Sequence, residues 1–265
     1  MRILIELNSI RDQSIEIMQY HKLQGFIYSN LINQSQFKGI HDLKTYKYYC
    51  YSNIFPPSPA KVGERRFLIF STPNQDLINS VYNNIRELIA NRTVTNIGNQ
   101  SYLITCAKML KTIPYGNKCY VKTSTPITVR LSEKGYSKYH IPIKFQKKKF
   151  IYWRSSLSSS ILLKLLEENI KKKYESFYEA KLSNDLSIID EFELLQELVI
   201  HLPVAESTIK IPSSFWNFGF DTSNKEKQSI FTFILDCGLG ERNSYGFGFI
   251  NMIHGSKLQI VKKIN

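Results

Sequence analysis

The chain has 265 residues, enough for one large domain or two small ones, and its 43% hydrophobic residues allow a sizeable core. Its 35 Lys and Arg outnumber 22 Asp and Glu; the formal net charge of +13 favours a polyanionic partner, and 16 Tyr and 16 Phe offer rings that can stack unpaired bases. No apolar stretch is long enough to span a bilayer and the first residues do not resemble a signal peptide, so we expect a cytoplasmic protein without membrane association.

The first part of the chain predicts the order strand, helix, strand, strand, helix, strand. Residues 2–7 alternate apolar and charged side chains, as in a half-buried strand, and apolar residues recur at helical spacing over residues 14–33. The other predicted elements are strands at 46–55, 66–71 and 101–111, with a helix at 74–90 between the last two. This order is that of the ferredoxin-like βαββαβ unit.

The second part of the chain repeats this order with longer insertions. Its predicted elements are a strand at 121–131, a helix at 155–179, strands at 192–202 and 207–211, a helix at 225–235 and a strand at 245–254. The turn-forming stretch from Pro114 to Asn117 separates the two parts. We therefore predict an α+β protein of two tandem ferredoxin-like domains, residues 1–115 and 116–265.

The sequence contains no recognisable metal or cofactor motif. It has no HExxH segment, no EF-hand pattern and no cluster of closely spaced carboxylates, so we expect neither a metal site nor a cofactor. The cysteines form no CxxC pair and have no histidine at zinc-finger spacing, which favours reduced core residues. These cysteines are Cys50, Cys106, Cys119 and Cys237.

Basic residues are concentrated in the second half. Residues 138–173 contain ten Lys or Arg against two acids. We expect the run Lys147, Lys148 and Lys149 to contact RNA, and the run at 171–173, on a long helix, to be solvated. We also assign Arg130 to the RNA-binding set.

A glycine-rich segment between a predicted helix and a predicted strand is the most informative motif. It is not a Walker loop, because no GK[ST] follows, and it precedes a strand, unlike a dinucleotide fingerprint. Glycine permits positive φ, and exposed backbone N–H groups can cradle phosphate. A tight helix-to-strand turn is the alternative interpretation. The residues that we predict to bind RNA here are Gly238, Gly240, Arg242, Asn243, Ser244, Gly246 and Gly248.

This segment resembles the C-terminal glycine-rich loop of the RAMP superfamily of CRISPR-associated proteins. Within it, the chain is most similar to the repeat-processing endoribonuclease, the sixth Cas protein. The similarity includes MRILIEL at the start, LQGFIYSNL in the first helix and GERNSYGFGFI near the end. The resemblance implies metal-independent cleavage of precursor crRNA within the repeat by 2′-OH attack. The implied products carry a 5′-OH and a 2′,3′-cyclic phosphate or 3′-phosphate.

The resemblance also implies a set of catalytic residues. The family's tyrosine in the first helix corresponds to Tyr28, its histidine beyond that helix to His41, and its lysine before the next strand to Lys47. We assign His41 to proton transfer, Tyr28 to the 2′-OH and Lys47 to the phosphate. The alternatives are His21, Tyr46 and Tyr51 for proton transfer, and Lys38 or Lys44 for the phosphate contact.

Two other functions compete with the nuclease. One is a noncatalytic RAMP subunit that holds guide RNA in a CRISPR effector complex; it would share the glycine-rich segment but would not need His41. The other is a general RNA-binding module, against which the absence of an RNP motif argues. The expected partners are CRISPR repeat RNA or precursor crRNA and, as candidates, effector-complex subunits. A monomer and a homodimer both remain open.

Overall fold

Antiparallel β-sheets form the framework of the described part of the chain, and two of them have five strands each. The computed structural model describes residues 1–14, 20–32, 37–41, 45–183, 187–204, 207–253 and 261–262. Tertiary contacts divide the chain into two units. The first comprises Met1–Ile113, Leu235–Cys237 and Asn243–Gly246, and the second comprises Pro114–Ile234, Gly238–Arg242 and Phe247–Asn265.

The first unit contains one sheet and the helices packed against it. Its elements are β1 (Arg2–Ser9), α1 (Tyr20–Phe26), β2 (Cys50–Tyr51), β3 (Arg65–Ser71), α2 (Gln75–Ala90), β4 (Val94–Ile97) and β5 (Gln100–Leu110). The strands lie in the order β2-β3-β1-β5-β4, and β1 is antiparallel to both of its neighbours. The strand β1 is therefore the centre of this sheet.

Alternation along β1 places one row of its side chains in the core. Ile3, Ile5 and Leu7 are fully buried, because successive side chains of a strand point to opposite faces. The helix α2 contributes the other side of this core through its apolar face. Its first turn is capped by Asn74, whose side-chain oxygen accepts a hydrogen bond from the Leu77 N–H at 2.9 Å.

The second unit contains a sheet and a separate hairpin. Its elements are β6 (Lys118–Thr123), β7 (Arg130–Ser132), β8 (Phe150–Tyr152), α3 (Ser159–Tyr178), β9 (Ile189–Val204), β10 (Ser207–Asp221), α4 (Lys225–Cys237), β11 (Ile250–Met252) and β12 (Val261–Lys262). The last three residues of α4 are counted with the first unit. The sheet has the order β11-β6-β10-β9-β12, and β7 pairs with β8. Trp216, Phe218 and Phe220 of β10 are buried in the core.

Both sheets have the strand order expected for a βαββαβ unit. In β5-β1-β3-β2 and in β11-β6-β10-β9, the last strand of the unit lies beside the first, and the third lies between the first and second. The predicted α+β fold class is thereby confirmed. The domain boundary predicted between residues 115 and 116 stays a prediction; the first break between the two units follows Ile113.

The strand predicted at 46–55 is wrong over most of its length. Only Cys50 and Tyr51 form β2. Tyr48 has a φ of 47°, and its carbonyl accepts a hydrogen bond from the Thr72 hydroxyl at 2.7 Å. The backbone before β2 therefore leaves the extended conformation.

Two other predicted strands are shorter than expected. The strand predicted at 245–254 begins only at Ile250, because Gly246 and Gly248 have φ values of +86° and +71° and bend the chain. The strand predicted at 121–131 is divided into β6 and β7, with Ile127 between them in an isolated bridge to Ser214. The strands β4 and β8 are absent from the sequence prediction.

Candidate RNA-cleavage site

Tyr28 lies on an irregular turn of the first helix. The helix α1 continues into a π-helical turn, Ile27–Leu31, where the N–H of Ile32 donates to the Ile27 carbonyl at 3.0 Å. Single π-helical turns are rare and occur often at functional sites. Ile27 and Leu31 are fully buried and fix the turn, whereas Tyr28 is only partly buried.

Lys47 contacts Tyr28 directly. Its Nζ donates a hydrogen bond to the Tyr28 hydroxyl at 3.1 Å and lies 5.5 Å from the centre of the Tyr28 ring. Two of the three predicted catalytic side chains therefore meet, although 19 residues separate them in sequence. The ammonium places a positive charge beside a hydroxyl, an arrangement that can stabilise a charged phosphate.

Tyrosines connect this pair to the glycine-rich segment within the first unit. The Tyr49 ring contacts the Tyr28 ring edge-on at 6.2 Å and stacks on the Tyr51 ring at 6.5 Å. The Tyr51 hydroxyl donates to the Ser244 carbonyl at 3.3 Å. Burial raises the pKa of both Tyr49 and Tyr51, so both stay protonated and neutral.

The structure describes the side chains of only some of the other predicted catalytic residues. His41 ends a 3-10 helix, Lys38–His41, but the side chains of both residues lie outside what the structure describes, as does residue 44. His21 is exposed on α1. Tyr46 is half-buried, with its ring 5.9 Å from that of Tyr48. The assignment of proton transfer among these residues stays a prediction.

The part of the glycine-rich segment in the first unit packs closely on tyrosine rings. At Gly246, an added Cβ would lie 2.9 Å from the Tyr51 ring and 3.2 Å from the Tyr20 ring. The Ser244 carbonyl also accepts a hydrogen bond from the Gln24 amide at 3.2 Å. Asn243 is buried, and its carbonyl accepts from the Gly246 N–H. This part of the segment is therefore held in one conformation.

The part of the segment in the second unit is held by a buried lysine. Lys173, on α3, is 4% exposed, and its Nζ donates to the Gly240 carbonyl at 2.6 Å and to the Gly238 carbonyl at 3.3 Å. Gly238 is the residue that follows α4, and Gly248 donates its N–H to the Pro126 carbonyl. The carbonyl oxygens that accept these hydrogen bonds offset part of the cost of burying the ammonium.

The predicted RNA-binding cations differ in how they are engaged. Arg130 is paired with Glu241 at 2.5 Å, so its charge is largely neutralised within the protein. Arg242 has a φ of 58° and donates to the Tyr152 hydroxyl at 3.4 Å. The lysines at 147, 148 and 149 are exposed between a short 3-10 helix and β8.

The buried contact of Lys173 with the glycine-rich segment was not predicted from the sequence. The run at 171–173 was expected to be solvated, but only Lys172 is exposed. The signal was present in the periodicity of α3. Lys173 follows the buried Leu166 and Ile170 by seven and three residues, and so shares their face. Gln24 and Tyr49 were also missed, because nothing in their sequence environment indicates which distant residue they contact.

In the described part of the chain, no group of three or more His, Cys, Asp or Glu is placed to hold a metal ion. None of its helices combines the length and apolar character that crossing a membrane requires.

Solved structures of similar fold include one described as a RAMP protein. A structure described as a RAMP protein binding different RNA substrates aligns with a TM-score of 0.70 at 20% identity, covering 96% of this chain and 100% of that one. A protein structure described as the characterization of a Cas6-related gene from Pyrococcus furiosus aligns with a TM-score of 0.69 at 20% identity. The alignment covers 97% of this chain and 99% of that one. The protein therefore has the fold of RAMP proteins.

Sequence comparison gives the family. Residues 109–252 match the family described as CRISPR associated protein Cas6, C-terminal. The chain belongs to the Cas6 family. The CRISPR-associated endoribonuclease Cas6 2 of Methanocaldococcus jannaschii is 29% identical over 96% of this chain and 100% of the relative. The CRISPR-associated endoribonuclease Cas6 of Haloferax mediterranei is 27% identical over 97% of this chain and 95% of the relative.

Proposed function

We propose that this protein is an endoribonuclease that cleaves CRISPR repeat RNA in precursor crRNA. Membership of the Cas6 family supports the proposal, as do relatives named CRISPR-associated endoribonucleases that align over nearly the whole chain. The net charge of +13 is consistent with a polyanionic substrate. The observation that carries the proposal is the contact between the Lys47 ammonium and the Tyr28 hydroxyl.

In the proposed mechanism, cleavage needs no metal ion. His41 transfers the proton, Tyr28 contacts the ribose 2′-OH, and Lys47 stabilises negative charge on the phosphate. The 2′-OH loses its proton to the general base as its oxygen attacks the adjacent phosphorus, the bond to the 5′-oxygen breaks, and that oxygen is protonated. The products are a 2′,3′-cyclic phosphate, or its hydrolysed 3′-phosphate, and a 5′-OH.

RNA binding in this proposal uses the glycine-rich segment together with the lysines at 147–149. Ser244 is held on the Tyr51 hydroxyl, and Tyr51 stacks on Tyr49 beside Tyr28. Substrate contacts at the segment would therefore be coupled to the position of Tyr28. The alternative, a noncatalytic guide-RNA-binding RAMP subunit, would require the same segment but not the Lys47–Tyr28 pair.

The proposal is tested first with cognate repeat RNA in excess EDTA. We expect a single cut, because the assigned groups perform acid–base chemistry without a metal. A 2′-deoxy substitution at the nucleotide before the cut should abolish cleavage while leaving binding intact. Binding without any cut, with or without Mg²⁺, would favour the noncatalytic subunit instead.

Substitutions then test the residue assignments. His41→Ala should slow single-turnover cleavage by roughly a hundred- to ten-thousand-fold with nearly constant affinity, the usual contribution of general acid–base catalysis. Tyr28→Phe keeps the ring contact with Tyr49 and should also slow cleavage. The exposed His201 on β9 provides a matched control, since His201→Ala should cut normally. A slow His21→Ala with a normal His41→Ala would transfer the role to His21.

A further inference from the structure

A groove of about 720 Å³ opens in the second unit beside the β7–β8 hairpin. Its volume lies within the range of small-ligand sites, roughly 300 to 1,000 Å³. One wall is β8 with the residues around it, and the other is formed by Ile209, Lys210 and Pro212 of β10. The strand β8 packs beside β10, so the two walls belong to one continuous structure.

The groove combines cations with aromatic and aliphatic surface. Four basic side chains line it, and no acidic side chain is among the described residues of the lining. All four are exposed, and none takes part in an ion pair within the described chain, in contrast to Arg130. These residues are Lys148, Lys149, Arg154 and Lys210.

The floor and rim of the groove offer flat apolar faces. Phe150 is 40% exposed, and Tyr152 follows it on the same face of β8. Their rings meet edge-on at 5.6 Å. The Arg130 guanidinium lies 5.3 Å from the Phe150 ring and is itself held by Glu241, which fixes the orientation of the ring.

We propose that this groove binds an unpaired nucleotide of the RNA, with its base on the Phe150 and Tyr152 rings and its flanking phosphates on Lys149 and Lys210. The inference rests on the proposed function, and it adds a base-stacking subsite to the contacts expected from the lysine run. Unpaired RNA bases are typically held by stacking on aromatic rings beside basic side chains. An acidic peptide would match the cations but would leave the exposed aromatic faces unused.

The test uses repeat RNA in which 2-aminopurine replaces the unpaired bases one at a time. On wild-type protein, at least one position should change its fluorescence on binding, because stacking quenches 2-aminopurine. Phe150→Leu keeps an apolar side chain but removes the flat face. We expect it to lose that signal and to weaken binding about five- to hundred-fold, the usual contribution of one stacked base. Tyr178→Leu, at an exposed tyrosine on α3 outside the groove, is the matched control.

Lys210→Ala tests the opposite wall independently of Phe150. Lys210 is exposed, so its removal should leave the fold intact. We expect weaker binding and a salt dependence whose slope falls by about one, as for a single lost phosphate contact. Lys134→Ala removes the same charge from an exposed position outside the groove and should bind like wild type. If Phe150→Leu fails to fold, Lys210→Ala against Lys134→Ala decides the question.

The outcomes separate this inference from the proposed function. Wild type that cuts repeat RNA, with Phe150→Leu and Lys210→Ala binding as tightly as wild type, would overturn the subsite but leave the nuclease. Wild type that neither binds nor cuts repeat RNA would overturn both. Tight binding of a fluorescent hexaglutamate, with RNA affinity insensitive to Phe150→Leu, would identify the groove as a peptide site.

Discussion

Replacing Lys173 by methionine should destabilise the protein and loosen the glycine-rich segment. Methionine preserves most of the aliphatic stem that packs in α3 but removes the ammonium that donates to the Gly240 and Gly238 carbonyls. Both glycines are buried, so water does not readily replace the lost donor. An unsatisfied buried polar group costs about 1 to 3 kcal/mol.

The loss of stability in Lys173→Met is the difference between two effects: the lost hydrogen bonds and the recovered desolvation energy of the lysine. The bond to Gly240 is short, at 2.6 Å, and hydrogen bonds from charged donors contribute about 1.5 to 3 kcal/mol. The bond to Gly238, at 3.3 Å, is weaker. Removing a buried charge recovers some desolvation energy, but the carbonyls stay buried without this donor. We therefore expect the free energy of unfolding to fall by about 2 to 4 kcal/mol.

Urea unfolding of the purified protein measures this change. The midpoint should move to lower urea at a nearly constant slope, and RNA affinity measured well below the midpoint should also fall. Lys172→Met, at the exposed neighbour on the same helix, should change stability by no more than about 0.5 kcal/mol. Equal midpoints for the two variants would refute the role assigned to Lys173.

Two further predictions concern stability. Gly240→Ala should cost about 2 to 4 kcal/mol in urea unfolding, because Gly240 has a φ of +67° and an added Cβ would lie 2.8 Å from the Thr128 carbonyl oxygen. Gly25→Ala, in a helix with open space around it, should be neutral or stabilising; a similar loss in both would contradict the steric explanation. Burial alone would raise the pKa of Asp221, but hydrogen bonds from Lys227 and Ser223 outweigh it and lower the pKa to about 2. Because the folded-state pKa lies below the ordinary 3.8, the Asp221 carboxylate stabilises the folded state above pH 3.8. This stabilisation disappears as the pH falls through about 2. Unfolding measured between pH 4 and 2 should show a smaller pH dependence in Asp221→Asn, and identical slopes would contradict the assignment.

The order of the main elements was predictable because apolar periodicity is a local property. β3, α2 and β5 lie within a residue or so of their predicted bounds. Errors arose where distant contacts or positive φ values override local propensity. Tyr-rich residues 46–49 have strand propensity, but Tyr48 turns the chain and its carbonyl binds Thr72.

The candidate site was predictable in composition but not in geometry. The resemblance led to Tyr28 and Lys47, whereas no pattern along the chain says that their side chains touch. Arg130 was assigned to RNA, and its pairing with Glu241 depends on a separation of more than a hundred residues. The groove beside Phe150 could not be predicted either, because its two walls come from β8 and β10, which are far apart along the chain.

The division of the chain into units has a consequence for protein synthesis. The first unit includes Asn243–Gly246, which follow Ile113 by roughly 130 residues. Ribosomes add about 5 to 20 residues per second, so this unit lacks its final segment for roughly 6 to 26 seconds after Ile113 is made. Until then Tyr51 and Gln24 have no Ser244 carbonyl to bind. The first 113 residues expressed alone would retain that defect permanently.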